Sequence, residues 1–305
     1  MPLNIPDKLP AIKLLRKENI FVMDQTRAAR QDIRPLKIAI LNLMPLKVTT
    51  ETDLVRLLSN SPLQIEIDFL KFKEYTPKNT PASHMSAFYT EFDKVKRKKY
   101  DGMIITGAPV ELLPFEEVIY WETMKNLMDW AIHNVQSTLF ICWAAQAGLY
   151  HYYGVPKYPL SKKLFGVFKH TYSDEKLPIF RGFDDEFYVP HSRYTEVRES
   201  DIKKVKGLKI ISSSEESGIN ILSARKGRQL FITGHAEYSR GTLDNEYKRD
   251  LAKNLPIEMP RNYYRDDDPA KGPVMRWKSH ANLFFSNWLN YYVYQETPYD
   301  LGDIR

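Results

Sequence analysis

The sequence contains one cysteine in 305 residues, Cys142. A single thiol excludes an internal disulfide and any multi-thiolate zinc site, and it fits a reducing, cytoplasmic setting. Long apolar runs are missing as well, since none approaches the ~18 residues of a membrane span. The opening stretch MPLNIPDKLPAIKLL has prolines and charges where a signal peptide needs an unbroken apolar core. His151, His170, His191 and His280 lack zinc-ligand spacing, and the acidic turns at 184–186 and 266–268 lack that of a calcium loop. No P-loop or dinucleotide-binding glycine pattern occurs. These absences predict no metal and no bound cofactor. Charge of one sign is also scarce: 44 basic against 38 acidic residues leave +6, spread along the chain. The one dense basic run, KVKRKK at 94–99, is expected at a helix end, where carbonyls favour cations. No nucleic-acid-binding signature accompanies it, so neither a nucleic-acid nor a membrane partner is expected.

What the chain does have is an ordinary globular composition, 43% hydrophobic and 27% charged, with length enough to bury a sizeable core. Residues 1–35, with three prolines before position 11, read as an arm on the domain surface. Residues 36–298 read as one domain and 299–305 as a tail. Apolar runs of strand length at 36–44, 63–72, 101–106 and 138–141 alternate with expected helices at 49–58, 84–98 and 116–133. That alternation predicts an α/β fold with a parallel sheet covered on both faces. From 157 to 234 the runs shorten and turns multiply, which predicts an antiparallel insertion and then a return to the main sheet at 229–233. Helices are expected at 243–254 and 279–293.

The stretch STLFICWAAQAG at 137–148 passes from an apolar strand through Cys142 into small, helix-favouring residues. A side chain on such a turn stands at the carboxyl end of the sheet beside the first N–H groups of a helix, where a thiol ionises readily. The competing reading is a buried structural thiol. His235 also follows an apolar strand and a glycine, and Glu237, two residues on, can orient an imidazole. Together they supply a base and its orienter. Oxyanion donors would be the backbone N–H of Trp143 and that of Ala108, in the Gly107-Ala108 turn that ends the 101–106 strand.

The cysteine turn, the strand-Gly-Ala-Pro turn and the later His-x-Glu resemble the class I glutamine amidotransferase fold, a flavodoxin-like mostly parallel sheet. Those amidotransferases usually have glycine two residues before and two after the cysteine. Phe140 and Ala144 stand there instead, which argues against glutamine hydrolysis. A longer resemblance is to the homoserine O-acyltransferases of methionine biosynthesis. It rests on PLNIPDKLPA (2–11), LNLMPLKVTTETDLVRLL (41–58), DGMIITGAPVE (101–111), TLFICWAAQAGLYHYYGVPK (138–157), KLFGVF (163–168), PHSRYTEV (190–197) and GHAEYSRGTLDNEYKRD (234–250). The resemblance implies ping-pong acyl transfer to L-homoserine. Cys142 would be the nucleophile, His235 the base and Glu237 its orienter, with Lys163, Ser192 and Arg249 contacting substrate. Lys47 and Arg193 lie in matching motifs too. Glu111 matches the position that separates acyl donors: a small residue leaves room for succinyl, whereas a glutamate fills the space and repels the succinyl carboxylate. Acetyl-CoA is therefore the expected donor, as a co-substrate rather than a bound cofactor. A homodimer is implied by the resemblance alone. The alternatives are a succinyl-CoA enzyme, a glutaminase or hydrolase on the same fold, and a non-catalytic basic binding protein.

Overall fold

Ile38 and Ile40 pack on one side of the strand Leu36–Leu41 and Ala39 and Leu41 on the other, and all four are fully buried. A strand apolar on both faces belongs in the middle of a sheet covered twice. The computed structural model describes residues 3–5, 9–17, 22–24, 34–77, 79–174 and 176–304. Within them the strands are β1 Leu3–Ile5, β2 Val22–Asp24, β3 Leu36–Leu41, β4 Ile65–Lys71, β5 Tyr89–Glu91, β6 Tyr100–Ile105, β7 Val135–Ile141, β8 Tyr158–Tyr172, β9 Phe187–Glu196, β10 Lys209–Ser214, β11 Gly218–Ala224 and β12 Gln229–Ile232. The helices are α1 Ala11–Lys17, α2 Lys47–Leu58, α3 Ala82–Phe88, α4 Phe92–Val95, α5 Trp121–Asn134, α6 Trp143–Tyr153, α7 Glu199–Ile202, α8 Thr242–Ala252 and α9 Lys278–Asn287.

The strands form one sheet in the order β2-β1-β4-β3-β6-β7-β12-β11-β10-β8-β9, with β5 paired to β4. From β2 to β12 every pairing is parallel, and from β12 onward every pairing is antiparallel. The expected fold class therefore holds, including the antiparallel insertion and the return strand. Helices α2 and α9 cover one face, through Leu54, Leu58, Phe284 and Phe285. Helices α5 and α6 cover the other, through Met124, Leu127, Met128 and Leu149.

Three differences from the sequence reading have local causes. The helix expected over 84–98 is interrupted, because Tyr89–Glu91 extends alongside Phe69–Lys71 and adds β5 to the sheet. The helix expected from 116 begins at Trp121, since Phe115–Glu117 forms a 3₁₀ turn and Val118 is extended. The last helix ends at Asn287 and continues as a π-helical turn over Trp288–Tyr294. Much of the expected arm, residues 1–35, lies outside the described residues. Its described part carries β1 and the edge strand β2, and Leu9, Ala11 and Ile12 are buried in the core. In the basic run, Lys96 pairs with Asp93 and Lys98 with Asp68, while Lys99 donates to the carbonyls of Gly302 and Ile304.

Candidate active site

Four neighbouring strands, β3, β6, β7 and β12, end on the same edge of the sheet. Ile105 lies opposite Phe140, so Gly107, two residues beyond, comes level with Cys142. Ile232 lies opposite Ile141, and the Cys142 N–H donates to the Ile232 carbonyl at 2.7 Å. The chain then needs only Thr233 and Gly234 to deliver His235. Ligands in open α/β sheets bind at such carboxyl edges.

Cys142 caps α6 with φ 53° and ψ −112°. A side chain at positive φ is strained by about 1–3 kcal/mol, and such strain collects at functional turns. Here it throws the sulfur out of the strand line toward the edge. Gly107 leaves room for it: a Cβ there would lie 3.3 Å from the Cys142 Cβ and 3.6 Å from His235 Cε1.

His235 Nδ1 donates to Glu237 Oε1 at 2.6 Å, which leaves Nε2 for the sulfur of Cys142. Cys142, His235 and Glu237 are all buried. Burial alone would disfavour a charged imidazole. The Glu237 carboxylate and the hydrogen-bonded sulfur overcome it and hold His235 well above the ordinary histidine value. Tyr238 stacks on the His235 ring with centroids 4.1 Å apart, which fixes its plane.

These groups open into a cleft of about 290 Å³. One wall is apolar, formed by Met44, Pro45, Val110, Leu112 and Leu113. The other carries Lys163, Ser192, Tyr194, Glu246 and Arg249. Lys163 comes from β8, Ser192 from β9, and Glu246 and Arg249 from α8, so the antiparallel hairpin and a late helix close the site. Glu246 Oε2 accepts from Ser192 Oγ at 2.6 Å and from Lys163 Nζ at 3.2 Å, and Oε1 accepts from the Tyr238 hydroxyl at 3.2 Å. Arg249 Nε donates to Asp250 Oδ1 at 2.7 Å, and its side chain remains half exposed. Glu111 Oε2 accepts from the Tyr194 N–H at 3.0 Å. Burial raises its carboxyl above the ordinary value, and that hydrogen bond, His235, Lys163 and Arg193 act in the opposite sense.

A larger recess of about 490 Å³ lies at the opposite edge of the sheet, among Lys37, Glu66, Asp68, Arg97 and Tyr100. It has mixed charge and no nucleophile. No group of three His, Cys, Asp or Glu among the described residues is placed to hold a metal. No described helix is long and apolar enough to cross a membrane.

The structure thus gathers Cys142, His235, Glu111, Lys163, Ser192, Arg249 and Ala108 around one cleft, with Glu237 behind His235 on its Nδ1. Trp143 starts α6, so its backbone N–H belongs to the free first turn beside the sulfur. Lys47 and Arg193 do not line the cleft. Lys47 is 1% exposed and donates to the carbonyls of Asn42 and Met44, pinning the turn after β3. Burial there lowers its pKa to about 8. Arg193 is turned into the interior by strand alternation.

The profile of a family described as homoserine O-succinyltransferase matches residues 2–299. The chain belongs to that family. Among curated members, homoserine O-acetyltransferases of Phocaeicola vulgatus and Bacteroides fragilis are 68% and 67% identical over 305 residues, covering all of each chain. That of Acetivibrio thermocellus is 60% identical over the same span. Among solved structures, a glutamine amidotransferase from Thermotoga maritima aligns with a TM-score of 0.56 at 14% identity, over 84% of this chain and 98% of its own. Another, from Methylobacillus flagellatus, gives 0.51 at 11% identity, over 85% and 95%. These two show the fold. As a homoserine O-succinyltransferase family member the chain shares the amidotransferase fold, and Phe140, two residues before Cys142, is fully buried and stacks on Phe231 at 4.8 Å. The sequence reading missed Glu246 and Tyr238. Only Tyr238's place one turn beyond His235, and Glu246's three residues before Arg249 on a helix, could have marked them.

Proposed function

We propose that this chain is a homoserine O-acetyltransferase that works through an acetyl-Cys142 intermediate. The observation that carries the reading is the convergence of Cys142 and of His235, held from behind by Glu237, with Glu111 on one cleft. The thiolate of Cys142 attacks the thioester carbonyl of acetyl-CoA, and an S–C bond forms. The N–H groups of Trp143 and Ala108 receive the oxyanion. The bond to the CoA sulfur breaks, and that sulfur takes the proton held by His235. In the second half, His235 removes the proton of the homoserine γ-hydroxyl as its oxygen attacks the acetyl-cysteine. Cys142 leaves as thiolate and O-acetyl-L-homoserine is released. Glu237 keeps Nδ1 protonated throughout, so Nε2 alone exchanges protons.

The polar wall suits an amino acid. Arg249 supplies a half-exposed guanidinium for the carboxylate, and Lys163, Ser192 and Glu246 form a hydrogen-bonded group for the polar remainder. The family profile carries the succinyl name, and Glu111 supports acetyl instead. A succinyl group would bring its carboxylate up to a partly buried glutamate, and two like charges in a poorly hydrated cleft repel.

A donor and acceptor panel tests this reading: acetyl-CoA and succinyl-CoA, each with homoserine, serine or water. Acetyl transfer to homoserine should dominate. Acetyl-CoA without acceptor should add one acetyl group to the Cys142 peptide, seen by mass. Cys142→Ala should lose both the adduct and the turnover. Persistent turnover in that variant would remove the covalent mechanism, and hydrolysis in place of transfer would move the protein to the hydrolases.

A further inference from the structure

Glu111 sits on a turn that has little of its own to hold it. Residues 111–113 belong to no strand or helix, and the turn is closed by a main-chain bond from the Leu113 N–H to the Val110 carbonyl at 3.1 Å. Its leucines bury little, since Leu112 is 66% exposed and Leu113 41%. A turn with so little buried apolar surface opens easily unless something outside it intervenes. Yet donor choice by Glu111 needs its carboxylate kept in one place.

Lys157, which lies outside the cleft lining, supplies the brace. Its Nζ donates to the Glu111 carbonyl at 2.5 Å and to the Leu113 carbonyl at 2.6 Å, bridging the turn from one side. The same ammonium lies 4.3 Å from the centre of the Phe115 ring, a cation–π contact with the residue that anchors the downstream end of the turn. Phe115 is buried, and it stacks on Trp121 at 5.1 Å and on Tyr150 of α6 at 4.8 Å. The main chain that carries Lys157 is itself fixed. It leaves α6 through Gly154 at φ 67°, with the Gly154 N–H on the Tyr150 carbonyl at 2.9 Å and the Val155 N–H on the Leu149 carbonyl at 3.3 Å. Val155 is buried, and β8 begins at Tyr158. Helix α6 thus has Cys142 at its start and Lys157 just past its capped end. The Glu111 carboxylate is held separately, by the Tyr194 N–H of β9 at 3.0 Å. Lys157 fixes the main chain of Glu111 and β9 fixes its side chain.

We propose that Lys157 is a positioning residue for donor choice: it ties the Glu111 turn to the helix of the nucleophile and keeps the Glu111 carboxylate where a succinyl group would meet it. This rests on Glu111 selecting the donor and on Cys142 accepting the acyl group, and it adds what keeps the selecting side chain in place. A lysine suits the task, because one ammonium presents three N–H donors and can serve two carbonyls while facing a ring. Without it Glu111 is still present, but its main chain is free to shift and its carboxylate to leave the path of the donor.

Steady-state kinetics with both donors tests it. Lys157→Met keeps the aliphatic stem and removes the N–H donors. It should raise kcat/KM for succinyl-CoA relative to acetyl-CoA by about fivefold, the scale of one net hydrogen bond. In a ping-pong cycle kcat/KM for homoserine reports the second half-reaction alone, so with acetyl-CoA as donor it should stay within about twofold of native. Loss of a positive charge alone would act the other way, by strengthening repulsion of the succinyl carboxylate, and general damage to the fold would lower all three values together. In the Glu111→Gly background Lys157→Met should leave the donor ratio within about twofold of Glu111→Gly alone, because the side chain it positions is gone. A donor ratio that is unmoved or falls in Lys157→Met overturns the proposal, as does a rise of equal size in the Glu111→Gly background. Should Lys157→Met fail to melt cooperatively, Lys157→Gln takes its place with a rise expected in the same direction. If neither folds, the lysine is a structural tie and the proposal fails. A native protein that shows no preference for acetyl removes the donor reading and this inference with it, whereas a native preference that Lys157→Met leaves in place removes the inference alone.

Discussion

Glu111 lines a cleft of about 290 Å³, and the proposed choice of acyl donor rests on this one side chain. Its carboxylate is held by a single backbone N–H from β9 and is otherwise turned toward the cleft that Cys142 shares. Removing it enlarges the space and deletes the repelling charge at once. Glu111→Gly should therefore raise kcat/KM for succinyl-CoA relative to acetyl-CoA by at least tenfold, the order expected from about 1.4 kcal/mol of relieved repulsion. A steady-state donor comparison checks this, and an unchanged ratio would remove Glu111 from donor choice.

At the scale of elements, the turn from β7 into α6 depends on close packing beneath it. A Cβ on Gly148 would lie 2.8 Å from Phe231 Cε1 and 3.1 Å from Phe140 Cδ1, and those rings already stack on each other. Gly148→Ala should push α6 off the sheet and cost about 1–3 kcal/mol. Urea unfolding would show it as a lower midpoint, and a midpoint equal to the native protein's would mean the rings yield. This turn was legible in the sequence because a short continuous apolar run meets small, helix-favouring residues at one cysteine. The parallel strands were legible for the same reason. The hairpin of β8 and β9 was visible only as short runs, and Lys163 and Ser192 drew attention through the family resemblance alone. Tyr89–Glu91 could not be read as a strand because a three-residue edge segment has too short a period to outweigh the helical residues around it. Arg193 and Lys47 sit in motifs beside the site, yet their burial follows from strand parity and from a turn of backbone carbonyls, which residue type does not reveal.

For the whole molecule, the neutral pair His170 and His191 sets a response to acid. Burial takes His170 from an ordinary 6.5 down to about 4, and it takes His191 well below 6.5. The unfolded chain therefore binds more protons than the folded one between about pH 6.5 and 4. Their contribution is flat above pH 7, and stability falls as pH drops through 6.5, by up to about 1.4 kcal/mol per unit for each histidine. His235, shifted upward, contributes stability that is already complete below pH 6.5 and is lost only as pH rises through its raised value. Urea unfolding between pH 7 and 5 should show a shallower decline for His170→Gln than for the native chain. Parallel declines would mean that this histidine is not neutral in the fold.

The position of β12 carries one more consequence. It lies between β7 and β11, far from β7 in sequence, and it is the strand that brings His235 to Cys142. A chain growing or refolding from its amino end can assemble β3, β6 and β7, with the thiol in place on its turn, before β12 exists to join them. Until that long loop closes, the sulfur has neither its imidazole partner nor the polar wall of α8. The fold thus gives Cys142 its imidazole neighbour only once nearly all of its sheet is assembled, so a half-made chain carries the thiol without the proposed catalytic pair.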